Sequence, residues 1–365
     1  YVASAGADAS SAGAIYEYGI TGDSSAAPLA QSSIGAGIYP AAVVVYQFHV
    51  YVVNVGDGTI SQYDVGSDGT LTPMSPATVI NSGMHTLGAA PAAATIDPTG
   101  SFLYVTNAAD DTLSQFSIGG DGRLTALTPS TVATGVRPVS IAMVILADGT
   151  PVYYVVNSGA PGETGNVSWY SSGKNGALTP ASANPVAAGT NPSAIAINGS
   201  PATVYVASNC DGASCTGSIR QFSVGDGGAL TESGAIATTG SHYDAVNVVI
   251  NQDGTNTYVY VLSNQFGVDS LTGALWEYDV GSTGALTTAS PPMLDIGSAA
   301  VAQLLELGTL YVLTTNSGVV ANTSGTGGSI DFYGFGAGGV ATRIGSTKIG
   351  APHPVTMGIL NLLPP

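Results

Sequence analysis

The dipeptide Tyr-Val recurs along this chain at Tyr1, Tyr51, Tyr104, Tyr154, Tyr205, Tyr260 and Tyr311. The seven starts divide the 365 residues into copies 1–50, 51–103, 104–153, 154–204, 205–259, 260–310 and 311–365. A period near 50 residues with several short strands per copy is the signature of propeller blades, because one copy cannot bury its apolar face alone and must stack on its neighbours. The pattern predicts an all-β fold: a seven-bladed β-propeller of four-stranded antiparallel blades in a single domain spanning 1–365.

Further landmarks recur within the copies. Tyr-Val continues into a polar tail at Tyr51-Val52-Val53-Asn54, Tyr104-Val105-Thr106-Asn107 and Tyr154-Val155-Val156-Asn157. Another strand follows, carrying Tyr63, Phe116, Trp169, Phe222, Trp276 or Tyr333, which read as inter-blade core. Next comes a turn of the type Gly-Ala-Leu-Thr, at Gly69, Gly122, Gly176, Gly228 and Gly284. An Ala-rich strand then precedes the next Tyr-Val. Ala92, Ala93, Ala94, Ser193, Ala194 and Ala196 are small enough to converge on a propeller axis, so these strands are expected innermost. Asp-Gly pairs at Asp57, Asp68, Asp121, Asp148, Asp211, Asp226 and Asp253 read as hairpin turns, since glycine accepts the positive φ such turns need.

The chain opens at the second strand of a blade, and Pro354 to Leu362 resembles an innermost strand. Pairing of the two termini is expected to close the ring and remove an open sheet edge. Donation of that last strand to a neighbouring subunit is the rival arrangement.

Charge narrows the functions. Only 8% of residues are charged, against roughly 25% in ordinary soluble domains, and 6 basic against 23 acidic residues give a net charge of −17. So few cations cannot neutralise a phosphate backbone, which excludes nucleic acid as a partner. No apolar run is long enough for a transmembrane segment. The chain begins without Met or an apolar leader, as expected of a mature product after signal-peptide removal. Cys210 and Cys215, in one short segment between strands, read as a disulfide, hence an oxidising, extracellular or cell-surface location. Sequons at Asn166, Asn198 and Asn322 permit glycosylation. Neither a metal site nor a cofactor motif is apparent: there is no phosphate loop, no His-Glu-x-x-His and no Gly-x-Ser-x-Gly.

Tyr104-Val105-Thr106-Asn107 reproduces the tetrapeptide of the YVTN propeller repeats, and all seven copies resemble that group together with the lactonase-like, 6-phosphogluconolactonase-like seven-bladed propellers. The resemblance implies His, Arg and Glu side chains near the mouth of a central channel. Candidates are Arg137 before Pro138, His242 before an innermost strand, His353 before Pro354, and Glu306 near the end of another. Ala92, Ala93, Ser193 and Ala194 stand at inert positions. YVTN repeats also occur in cell-surface and surface-layer proteins, and a weakly charged, apolar-leaning surface tends to associate. The leading expectation from sequence is therefore an extracellular structural subunit, a homo-oligomer or polymer forming a filament, sheath or surface layer. A lactone hydrolase at the channel mouth is the alternative, and an adhesin or glycan-binding module a second alternative.

Overall fold

The computed structural model describes residues 1–6, 10–21, 25–80, 93–181, 185–199, 202–209, 216–234, 236–253, 256–265, 273–282, 284–296, 299–306, 309–315, 328–336, 339–350 and 354–357. The described strands form seven antiparallel sheets. Their innermost strands are Pro354–Met357 in blade 1, Pro40–Tyr46 in blade 2, Ala94–Ile96 in blade 3 and Pro138–Ile145 in blade 4. Pro192–Gly199, Tyr243–Asp253 and Ala299–Glu306 follow in blades 5, 6 and 7. Each innermost strand touches those of the two adjacent blades, round to Pro354–Met357 against Pro40–Tyr46. The terminal strands pair in blade 1, Val2 opposite Met357 and Ala3 opposite Thr356, so the chain's own C-terminal strand supplies the inner edge of its first blade.

The outermost strand departs from the sequence expectation in two blades. It breaks into Leu178–Pro180 and Val186–Thr190 in blade 4, and into Leu230–Glu232 and Ala237–Ser241 in blade 5. The other blades keep one strand with a register shift at the corresponding place, as between Ser61 and Tyr63 or Ser114 and Phe116. Extra residues there force either a bulge or a break.

The Tyr of Tyr-Val works as a bolt between blades. Tyr51 Oη donates to the carbonyl of Gly122 at 2.5 Å, Tyr104 to Gly176 at 2.7 Å and Tyr154 to Gly228 at 2.8 Å, each reaching the hairpin of the next blade. Tyr1 reaches Gly69 and Tyr260 reaches Gly339 in the same way. The acceptor glycines have positive φ, for example +77° at Gly122, which explains the Gly of the turn motif. Among the described Tyr side chains of this set, Tyr205 is the exception. Gln221 Nε2 would lie 2.4 Å from a Cβ on Gly284, so that amide occupies the approach to the turn, and the buried Tyr205 hydroxyl has no partner. Tyr104→Phe should therefore cost about 1–3 kcal/mol by stranding a buried carbonyl, whereas Tyr205→Phe should cost almost nothing. Denaturant melts of the two variants measure the contrast.

Between the blades lie the aromatics expected from sequence: Tyr63, Phe116, Trp169, Phe222 and Tyr333 are buried. Trp276 is only partly buried, stacking edge-on against Tyr243 and donating from Nε1 to Ser263 Oγ at 2.8 Å. The Asp-Gly pairs at Asp57, Asp68, Asp121, Asp148 and Asp226 are turns with glycine at positive φ. The carboxylates of Asp57, Asp68, Asp121 and Asp148 cap their own turns, as Asp68 accepts from Thr70 N and Asp148 from Thr150 N. Asp211 and Gly254 lie outside the described residues, as do Cys210 and Cys215.

Candidate functional site at the channel mouth

Among the described residues, six other than glycine have positive φ, and four of them, Tyr39, Arg137, Asn191 and His242, immediately precede an innermost strand. Such residues are uncommon, and a side chain held there is set by its surroundings. The surroundings recur. Val55 N donates to Tyr39 O at 3.0 Å, Ser158 N to Arg137 O at 2.9 Å and Asn209 N to Asn191 O at 3.1 Å. Each donor follows the last residue of a second strand, so the left-handed residue is part of the blade's own construction. In blades 2, 4, 5 and 6 it places one residue at the end of the ring where the innermost strands begin.

The Asn that ends the Tyr-Val tetrapeptide builds this end. Asn157 Nδ2 donates to Ser168 Oγ at 2.9 Å and Asn166 Oδ1 at 2.8 Å, while its Oδ1 accepts Gly135 N at 3.1 Å. Asn54 makes the matching bonds to Ser61, Thr59 and Gly37. A Cβ on Gly135 would sit 2.8 Å from the Asn157 carboxamide, so glycine is needed two residues before the rim residue. The resulting unit, Gly-x-rim residue, reads Gly37-Ile38-Tyr39, Gly135-Val136-Arg137, Gly189-Thr190-Asn191 and Gly240-Ser241-His242. Asp111 Oδ1 adds a bond to Arg137 N at 2.7 Å, and Asp57 Oδ2 accepts Ile38 N at 2.9 Å.

Arg137, Asn191 and His242 belong to blades 4, 5 and 6 and form a continuous arc. Ser193 Oγ, two residues beyond Asn191, donates to Ala245 O, three beyond His242, at 2.6 Å, which ties these two rim positions together. The structure thus brings two of the sequence candidates, Arg137 and His242, to one mouth and inserts Asn191 between them. Asn191 and Tyr39 escape a search for His, Arg and Glu, but the Gly-x-x-Pro spacing they share with Arg137 identifies them.

Glu306 is separated from the arc. It is the last residue of Ala299–Glu306, opposite Thr309, and seven residues of strand put it about 23 Å from the mouth. His353 lies outside the described residues, immediately before Pro354. Among the sequons, Asn322 is also outside them, and Asn166 is partly buried within its strand. Asn198 is buried and its Oδ1 accepts Gln252 Nε2 at 2.8 Å, a placement that does not fit a glycan. Among the described residues, no helix is long and apolar enough to cross a membrane.

With fold and rim in view, comparison with known proteins identifies the class. Residues 41–144 match the family described as "Lactonase, 7-bladed beta-propeller", a stretch that covers blades 2 and 3 and the start of blade 4, including Arg137. The fold is a seven-bladed β-propeller, and over residues 41–144 the chain is similar to the lactonase family. Among solved structures, the periplasmic gluconolactonase of Pseudomonas aeruginosa superposes with a TM-score of 0.65 at 16% identity, over 96% of both chains. A protein from Lactobacillus plantarum gives 0.61 at 16% identity, over 89% of this chain and 91% of its own. A putative 6-phosphogluconolactonase from Bacteroides fragilis gives 0.56 at 21% identity, over 78% and 76%. No curated protein matches the chain.

These findings correct the leading expectation of a filament, sheath or surface-layer subunit, because family match and gluconolactonase-named neighbours favour the lactonase alternative. That expectation leaned on inert Ala and Ser in the innermost strands. Tyr39, Arg137, Asn191 and His242 instead stand one residue before those strands begin.

Proposed function

We propose that this protein is a lactone hydrolase acting at the mouth formed where the innermost strands begin. The observation that carries this reading is the arc Arg137–Asn191–His242, set in a chain whose residues 41–144 match a lactonase family. Ring-opening hydrolysis adds water to an ester carbonyl, builds negative charge on its oxygen, and breaks the ring C–O bond to leave a hydroxyl and a carboxylate. The Arg137 guanidinium stabilises the developing oxyanion and the product carboxylate. His242 takes the proton from the attacking water and returns it to the departing ring oxygen. Asn191, between them, offers an amide donor and acceptor to the substrate's hydroxyl groups.

The Pseudomonas aeruginosa neighbour is a periplasmic gluconolactonase, and an extracytoplasmic location suits this weakly charged chain too. The test is acid release from glucono-1,5-lactone, followed with a pH indicator against the spontaneous rate. Turnover abolished by His242→Ala supports the reading. Retained sugar binding without turnover by the unmutated protein would instead favour a glycan-binding module.

A further inference from the structure

All six Lys and Arg residues lie within the described structure, so the cations available to a substrate can be placed one by one. Arg123 pairs with Asp121 at a hairpin of blade 3 and donates from Nε to Ser75 O. Arg220 pairs with Glu232 at 2.5 Å, and Arg343 with Asp331 at 2.6 Å. Lys174 sits in the hairpin 173–177, at the opposite end of blade 4 from the mouth. Lys348 ends the outermost strand of blade 7, on the perimeter. Arg137 alone occupies a rim position, and among the described residues no ion pair joins it to a carboxylate.

Carboxylates recur along the same end of the blades. Asp111 holds Arg137 N, Asp57 holds Ile38 beside Tyr39, and Asp244 follows His242 by two residues. The whole chain adds a net charge of −17. One guanidinium matches the single negative charge that develops during lactone opening. A substrate phosphate would bring about −1.5 to −2 further charges at neutral pH, and its recognition calls for additional Arg, Lys or backbone donors. No second Lys or Arg occupies a rim position; Arg220, whose Nε lies beside Gly189 of the Asn191 unit, is paired with Glu232, and the carboxylates at this end repel a dianion.

We infer that the mouth takes unphosphorylated lactones, such as neutral polyhydroxy ring esters, and discriminates against sugar lactones bearing a phosphate. This rests on the lactone-hydrolase reading and narrows it to one substrate class. The chemistry is the ring opening already written, with the phosphate as the distinguishing group.

The experiment compares kcat/KM for glucono-1,5-lactone and for its 6-phosphate at low and at moderate ionic strength. The neutral lactone is expected to be preferred by on the order of tenfold or more at low salt, the gap narrowing as salt screens the repulsion. Asn191→Arg, which sets a second cation beside the first, should raise the phosphorylated-to-neutral ratio by on the order of tenfold. A parent protein that prefers the phosphorylated lactone overturns this inference and leaves the hydrolase reading standing. Hydrolysis of neither overturns both, and a ratio unmoved by Asn191→Arg overturns the electrostatic basis for the preference.

Discussion

Arg137→Ala is expected to lower kcat/KM for a neutral lactone by about 10²–10³-fold, the usual effect of removing one donor from a developing oxyanion. The fold should survive, because the bonds that hold position 137 belong to its main chain: the N–H donates to Asp111, and the carbonyl accepts from Ser158. Alanine at φ +55° carries the same backbone strain as arginine there, so stability should change little. Arg137→Lys keeps the charge and loses the planar fork, and should recover only part of the rate. Steady-state kinetics beside thermal melts separate the two effects: an Arg137→Ala protein that melts as the parent does and still turns over at the parental rate would remove Arg137 from the chemistry.

Glu277→Gln is expected to stabilise the protein increasingly as the pH rises, by about 3 kcal/mol at pH 8. Gln62 and Gln115 show what the position does. Each lies in a register shift of its blade, where Nε2 donates to the carbonyl of Pro76 or Pro129 and Oε1 accepts the N–H of Leu124 or Leu178 from the next blade. Glu277 occupies the same register shift in blade 6 and accepts Ala341 N at 2.9 Å, but its buried Oε2 has no partner.

Burial pushes the Glu277 carboxyl up from its ordinary 4.5 to about 7; the Ala341 N–H pulls it down, and Asp279 adds a smaller upward push. The folded state therefore holds the proton more tightly than the unfolded chain. The stability from this proton is complete below about pH 4.5 and disappears as pH rises through 7. Glutamine removes the dependence, so parent and variant should coincide near pH 4 and diverge above pH 5. Urea titrations at both ends of that range decide it, and parallel stability curves would show that Glu277 is not the titrating group. Glu17, at the matching place in blade 1, differs: its two oxygens accept Gln31 Nε2 and Leu71 N.

The blades were legible because Tyr-Val, the hairpin glycines and the small innermost strands recur at nearly fixed intervals. What each repeated residue does was not. That Tyr51 reaches Gly122, 71 residues on, depends on the stacking of one blade against the next, which periodicity within a chain does not report. The breaks in the outermost strands of blades 4 and 5 arise where the other blades absorb extra residues as a bulge, a choice made by local packing. Arg137 and His242 were visible as scarce residue types, whereas their common geometry was hidden. It emerges once the residue before the innermost strand of blades 2, 4, 5 and 6 is seen to have left-handed backbone, which makes Asn191 and Tyr39 their equals and separates Glu306 from them.

The main-chain bonds at the rim have a consequence for how such a protein can change. Position 39 is held through its carbonyl, position 191 through its carbonyl and position 137 through its carbonyl and N–H. The scaffold therefore places no demand on which side chain is mounted there, beyond tolerance of a left-handed turn. Blades 2, 4 and 5 each offer a socket that can be refilled by a single substitution while the Tyr-to-Gly bolts at the far end keep the ring assembled. Catalytic repertoire and structural integrity are thereby uncoupled within one fifty-residue unit.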